Sequence, residues 1–216
     1  SNAVLKSMNR HYTREEFLEK CKLIREYFPT AAITTDIIVG YSTESEEDFE
    51  ESADLAEKAE FADIHCFPYS VRSGTVGAKL KELPAEVKNE RMKRLTEVKN
   101  KLKNAFIERN IGSIGEFIPE EKDDGYSVGY TGNYIRCYVK GDAGRGKFRV
   151  KLIRPFKDGV LAEIIGVDQI GRLAVGRRDL LARFERLVCD GLGRAVRCLS
   201  RLRLRGLRLG RVILAA

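Results

Sequence analysis

The residues best suited to chemistry in this 216-residue chain fall in three groups. The first lies in TTDIIVGYSTES, residues 34–45, where a β-branched apolar run stops at Gly40 and a helix opens. Gly40 has no side chain and permits close approach by a flat ring, while Thr35 and Asp36 supply polar groups on or near the strand. Their alternative role is a strand-end hydrogen bond. The second group lies in HCFPYSVR, residues 65–72. Tyr69 and Arg72 follow a strand end, and the planar fork of Arg72 could hold a phosphate or a carboxylate. A salt bridge to the region of Glu46 and Glu47 is the alternative. His65 shares a strand face with Phe61, Asp63, Phe67 and Tyr69, as a satisfied core imidazole or a catalytic one; no partner is visible in sequence. The third group, Tyr130, Tyr134, Arg136, Tyr138, Lys140, Arg149 and Lys151, mixes aromatics with cations. That mixture suits RNA, because bases stack on rings while Lys and Arg neutralise phosphate. The alternative is an ordinary β-surface with its aromatics turned into the core.

Other chemistries are poorly supported. The five cysteines, at 21, 66, 137, 189 and 198, show no CxxC or CxxxCxxC spacing, so they spell neither a metal cluster nor a disulfide framework. Two histidines are too few to argue for a metal site. The net charge of +7 is unevenly placed: residues 1–166 carry 27 basic and 28 acidic groups, whereas 167–216 hold 12 Arg, 4 acids and no Lys. The high overall basicity is therefore weak evidence for nucleic-acid binding by the body. The acidic run at 44–51 reads as the solvated, dipole-favoured start of a helix. No run of eighteen apolar residues and no signal peptide is evident, so no membrane partner and a cytoplasmic location are expected.

The elements that must position these groups are legible from periodicity. Thr13 and Glu16 form a capping-box signature ahead of Phe17, Cys21, Ile24 and Phe28, giving a helix over 13–28. Residues 31–40 form an apolar run without alternation, which predicts a strand covered on both faces. Ser45 and Asp48 open a second helix with Phe49, Ala53, Leu55 and Ala56 inward, and 61–70 is a second strand, together a βαβ unit. Pro84 opens a long helix over 85–110. From 114 to 166, five short strand-like runs separated by turn-rich segments predict a small β-barrel of the oligonucleotide-binding kind. The Leu/Arg-rich tail has a different composition and reads as non-native, translated out of frame or from vector; Ser1-Asn2-Ala3 reads as a tag scar.

Taken together, SMNRHYTREEF, TTDIIVGYSTESEEDF, HCFPYSVRSGT and GYTGNYIRCYV, in this order, resemble the C-terminal half of the radical-SAM methylthiotransferases that modify tRNA. The resemblance covers residues 7–166. It implies an α/β fold: the C-terminal part of a radical-SAM β/α barrel over 4–111, a five-stranded, OB-like TRAM β-barrel for RNA over 112–166, and an atypical tail over 167–216. It suggests that Asn9, Arg10, Thr35, Asp36, Gly40 and Glu44 line the S-adenosylmethionine site, and that His65, Tyr69, Arg72, Tyr130, Tyr134, Arg136, Lys140, Arg149 and Lys151 meet substrate. The family usually reads GFPGET where this chain has GYSTES, so the Pro-Gly turn is replaced by Ser42 and Thr43.

For a full-length parent, the resemblance implies S-adenosylmethionine cleaved at a 4Fe–4S cluster, a 5′-deoxyadenosyl radical, and methylthio insertion at C2 of the adenosine next to the anticodon. Arg72 and Ser73 before Gly74 resemble the tRNA enzymes more than the ribosomal protein methylthiotransferases. His65 and Pro68 favour N6-threonylcarbamoyladenosine over N6-isopentenyladenosine as substrate. The cluster-binding CxxxCxxC would precede residue 1, so this fragment is expected to be inactive and, with an open sheet edge, to self-associate or have that edge capped by the tail. A non-catalytic RNA-binding module is the alternative.

Overall fold

The computed structural model describes residues 1–74 and 77–167, with the backbone alone of 76 and of 211–215; other readings of the tail lie outside these residues. A short helix, α1 (Asn2–Ser7), comes first, capped by Ser1, whose Oγ accepts from Ala3 N at 3.1 Å and Val4 N at 3.4 Å. Residues 1–3, read from sequence as a scar, are thus folded into the first turn of a helix. The capping box at Thr13 forms as expected: its Oγ1 accepts from Glu16 N at 3.2 Å and Glu16 Oε2 accepts from Thr13 N at 2.9 Å, opening α2 (Arg14–Tyr27). Ser45 and Asp48 make the same reciprocal pair at the start of α3 (Glu46–Ala59).

Strands β1 (Ala32–Val39) and β2 (Asp63–Pro68) flank α3 and pair in parallel, with Thr34 opposite Asp63 and Val39 opposite Pro68. A helical crossover is what a parallel pair requires. The long α4 (Ala85–Asn110) follows a short 3-10 turn at Val76–Lys79. Helices α2, α3 and α4 cover one face of the sheet, where Ile33 and Ile64 pack among Phe17, Cys21, Ala56 and Leu102. The other face departs from the expectation of two covered sides. Among the described residues Ile38 is 41% exposed and Phe67 50%, so the apolar run at 31–40 buries only half of itself near its C-terminal end.

The second unit is a closed barrel of β3 (Ile114–Asp123), β4 (Tyr126–Thr131), β5 (Arg136–Lys140), β6 (Phe148–Phe156) and β7 (Gly159–Val167), in the order β3-β4-β5-β7-β6. All five strands fall where alternation and turn residues placed them. Phe117, Val128, Cys137, Val150, Leu152 and Val160 fill the interior. Closure brings backbones close together: β3 bulges between Pro119 and Glu121, and a Cβ on Gly129 of β4 would lie 1.9 Å from Ile118 O. The last described strand, β8 (Arg211–Ala215), runs parallel to β1 with Ala32 opposite Arg211, so part of the tail lies on the sheet edge.

The two units share one core. Phe106 and Ile107 of α4 join Ala32 and Ala62 of the sheet layer to Ile135, Cys137 and Val139 of the barrel. Asn133 fixes the orientation, its Nδ2 donating to Thr30 O and Asn110 Oδ1, both at 3.2 Å, while Asn110 Nδ2 donates to Phe106 O at 2.8 Å. Truncating a buried phenylalanine costs about 3–5 kcal/mol. Phe106→Ala is expected to lower stability by that amount in urea denaturation and to loosen helix and barrel signals together; separate transitions in wild type would refute the shared core.

Candidate functional site

The loop joining β1 to α3 is held by a buried ion pair. The Glu44 side chain, in a residue only 5% exposed, accepts through Oε2 from Gly40 N at 2.8 Å and from Arg91 Nη1 at 2.6 Å. Arg91 Nη1 also donates to Glu44 O at 3.1 Å, and Nη2 to Glu46 Oε2 at 3.1 Å. Arg94 bridges Glu46 to Glu50, and both guanidiniums sit over the Phe49 ring, at 5.6 and 4.7 Å. The acidic run is therefore not simply a solvated face: part of it is the partner of α4. Sequence reasoning missed Arg91 and Arg94. The signal available was two arginines three apart on α4 facing acids on α3.

These contacts bear on the expected cofactor residues. Glu44 spends its carboxylate on Gly40 and Arg91. The space a side chain at Gly40 would take holds the Lys88 stem, with Lys88 Cγ 2.4 Å from an added Cβ. A flat ring over Gly40 therefore requires Lys88 to move. Thr35 is buried on the helix-covered side of β1, whereas Asp36 and Glu44 line a small apolar cavity beneath α1 with Leu5, Met8 and Tyr12. Asn9 and Arg10 are exposed just after α1. Ser42 Oγ in the loop is buried with no hydrogen-bond partner among the described residues. The loop thus offers a buried hydroxyl at Ser42, the cavity under α1 a carboxylate at Asp36, and neither leaves room for a ring stacked on Gly40 as it stands.

An iron–sulfur cluster fits poorly on the described thiols. Cys21, Cys66 and Cys137 lie on α2, β2 and β5, and burial pushes the Cys21 thiol up to about 11 and Cys137 up to about 12. No group of three His, Cys, Asp or Glu able to hold a metal occurs among the described residues. No described helix is long and apolar enough to cross a membrane.

The larger cleft, about 450 Å³, opens where the sheet meets the barrel. Thr34, Asp63 and His65 line it from the sheet, Lys103 and Phe106 from α4, and Tyr130, Tyr134, Arg136, Glu120 and Asp158 from the barrel. Four of the nine expected substrate residues, His65, Tyr130, Tyr134 and Arg136, thus converge. Lys140, at the far end of β5 opposite Tyr126, and Arg149 and Lys151, on β6 opposite Glu116 and Ile114, are exposed elsewhere on the barrel. Tyr69 packs edge-on against Tyr41 at 5.0 Å, and Arg72 is exposed beyond β2. Glu46, one of the two acids considered for Arg72, pairs with Arg91 and Arg94.

Both terminal nitrogens of Arg136 are engaged. Nη2 donates to Glu121 at 2.7 Å, Nη1 to Asp158 at 3.1 Å, and the guanidinium lies 5.5 Å from the Tyr138 ring centroid. Tyr138, read from sequence among the RNA-facing aromatics, is covered: burial, and then a hydrogen bond donated to Asp158, push its hydroxyl up to about 12. Lys157 lies over the rings of Tyr126, Tyr138 and Phe156, a capped aromatic cluster that sequence reasoning did not anticipate.

Comparisons with known proteins agree with the resemblance read from sequence. Residues 1–56 match the radical SAM superfamily. The chain is 37% identical over 171 residues to the tRNA-2-methylthio-N(6)-dimethylallyladenosine synthase of Aquifex aeolicus, covering 76% of this chain and 39% of that protein. It is 35% identical over 176 residues to the threonylcarbamoyladenosine tRNA methylthiotransferase MtaB of Bacillus subtilis, again over 76% and 39%. A synthase of the first name from Desulforamulus reducens is 44% identical over 120 residues, 56% of this chain and 26% of that protein. The chain therefore spans about two fifths of the length of the first two relatives.

Breaking a buried ion pair by removing one partner costs about 3–5 kcal/mol. Glu44→Ala is expected to lose that much in urea denaturation. Burial raises the Glu44 carboxyl above the ordinary range, outweighing the Gly40 amide and Arg91. The folded chain thus holds this proton more tightly than the unfolded chain. The resulting stability is fully present below the ordinary carboxylate pKa and is lost as pH rises through the folded value. Glu44→Gln should flatten that part of the stability–pH curve, which titration of the unfolding midpoint will show.

Proposed function

We propose that this chain is the cofactor-side and RNA-side part of a tRNA methylthiotransferase: its βα layer a portion of a radical-SAM barrel, its small barrel a TRAM domain. The observation that carries the reading is the conjunction of relatives that are each named for tRNA methylthiolation with a closed five-stranded barrel whose cations and tyrosines lie beside a radical-SAM-like layer. The substrate is an N6-modified adenosine beside the anticodon, with the loop of that tRNA on the barrel.

In the βα layer, Asp36 and Ser42, with Asn9 and Arg10 after α1, would hold S-adenosylmethionine. When bound together with a reduced cluster, that cofactor supplies the radical and the methyl group. This chain's own residues do three things. Arg91 and Glu44 fix the loop after β1, Lys88 closes over Gly40, and Arg72 offers a planar fork beyond β2 to a carboxylate or phosphate. On the barrel, the exposed Lys140, Arg149 and Lys151 neutralise phosphates. The described thiols are poor cluster ligands, so the chain alone does not cleave the cofactor.

Two measurements test this. Binding of a single-stranded anticodon-loop oligonucleotide should weaken with salt, and the combined Lys140→Ala, Arg149→Ala and Lys151→Ala variant should lower the log–log slope by roughly 2; an unchanged slope removes those three from the interface. After iron–sulfur reconstitution, chromatography should find no 5′-deoxyadenosine released by the pure chain; its release would overturn the inactivity.

A further inference from the structure

We propose that the cleft between sheet and barrel is a pocket for one unstacked nucleobase, held by stacking and base-edge hydrogen bonds rather than by phosphate. The proposal deepens the RNA reading above and rests on it.

The position sets this cleft apart from the cofactor side. Thr34 and Asp63 form the first register pair of β1 and β2, whereas Gly40 and Tyr69 follow the opposite strand ends. Six residues along β1 at about 3.3 Å each put these ends about 20 Å apart. A base in this cleft is therefore a different nucleotide from one presented at the ends that carry residues 40–44 and 69–72.

The lining decides the ligand class. Asp63, Glu120 and Asp158 give three carboxylates against the two cations Lys103 and Arg136. The two terminal nitrogens of Arg136 are already engaged, by Glu121 and Asp158. A phosphate entering here would meet net negative charge and an arginine whose fork is occupied. A neutral ring with amino and carbonyl edges meets the reverse: carboxylate acceptors, the Lys103 ammonium, the His65 imidazole, and Arg136 Nε, an N–H buried without a hydrogen-bond partner among the described residues.

Two tyrosines supply the stacking surface. Tyr130 and Tyr134 have ring centroids 6.5 Å apart and planes inclined at 46°, and Tyr134 is 53% exposed on a residue with φ of 61°. A non-glycine residue held in the left-handed region, with a large ring turned outward, is an arrangement that core packing does not require. The volume, about 450 Å³, lies within the roughly 300–1,000 Å³ of small-ligand sites. The phosphate-neutralising residues Lys140, Arg149 and Lys151 lie on other parts of the barrel, so a strand crossing it can leave its backbone on them and turn one base inward.

The test uses the whole chain and an uncharged fluorescent purine nucleoside, 2-aminopurine riboside, whose emission is quenched on stacking. The chain contains no tryptophan, so its own emission does not interfere. Saturable quenching is expected, about tenfold weaker in Tyr134→Ala and restored in Tyr134→Phe, with circular dichroism confirming the fold of each. Inorganic phosphate should not compete. Absence of quenching, quenching undiminished in Tyr134→Ala, or displacement by phosphate would each overturn the pocket. If the oligonucleotide binds with a normal salt slope while the riboside fails, the pocket falls and the RNA surface stands. If neither binds, both fall.

Discussion

The wedge of Phe106 and Ile107 between the sheet layer and the barrel is the contact on which the candidate site depends. Apolar burial is non-directional and would by itself allow the two units to slide or roll. The hydrogen bonds from Asn133 to Thr30 and Asn110 limit that freedom, because sliding would break the bond to the buried Asn110 side chain. The cleft is the space left over when these two constraints are met together. Its walls come from β1, β2, α4 and the barrel, and none of them alone encloses anything.

Electrostatics divides the molecule along a similar line. Within the βα layer, charge is spent inward: α3 and α4 are clamped through Arg91, Arg94 and their glutamates, and the loop after β1 is pinned by a carboxylate out of reach of solvent. On the barrel, Lys140, Arg149 and Lys151 stay exposed on its outer surface. The same residue types thus do opposite work. A buried pair holds geometry at a desolvation cost, whereas exposed cations remain available to a polyanion.

Much of the fold was legible in the sequence because local rules governed it. The two capping boxes, the proline that opens α4, and the turn clusters between barrel strands each act within a few residues, and each element formed where those signals placed it. The barrel strands were readable because side chains alternate between inside and outside. The candidate site was legible only in part. Tyr130, Tyr134 and Arg136 lie close together in the chain and stayed together, and His65 joined them. Lys140, Arg149 and Lys151 carry the right chemistry but sit on other strands or strand ends, and Tyr138 is covered and bonded to Asp158.

By itself, the amino-acid sequence determined the kinds of element, their order and the family resemblance, since these follow from periodicity, capping and short motifs. The tertiary structure alone decided that Glu44 belongs to Arg91, 47 residues away, that Lys88 lies over Gly40, and that one face of β1 stays partly open. The physical reason is the same in each case. Charge pairing, the filling of space over a glycine, and the covering of a sheet face depend on which distant surfaces come together, and that is fixed by how α4 packs across both units.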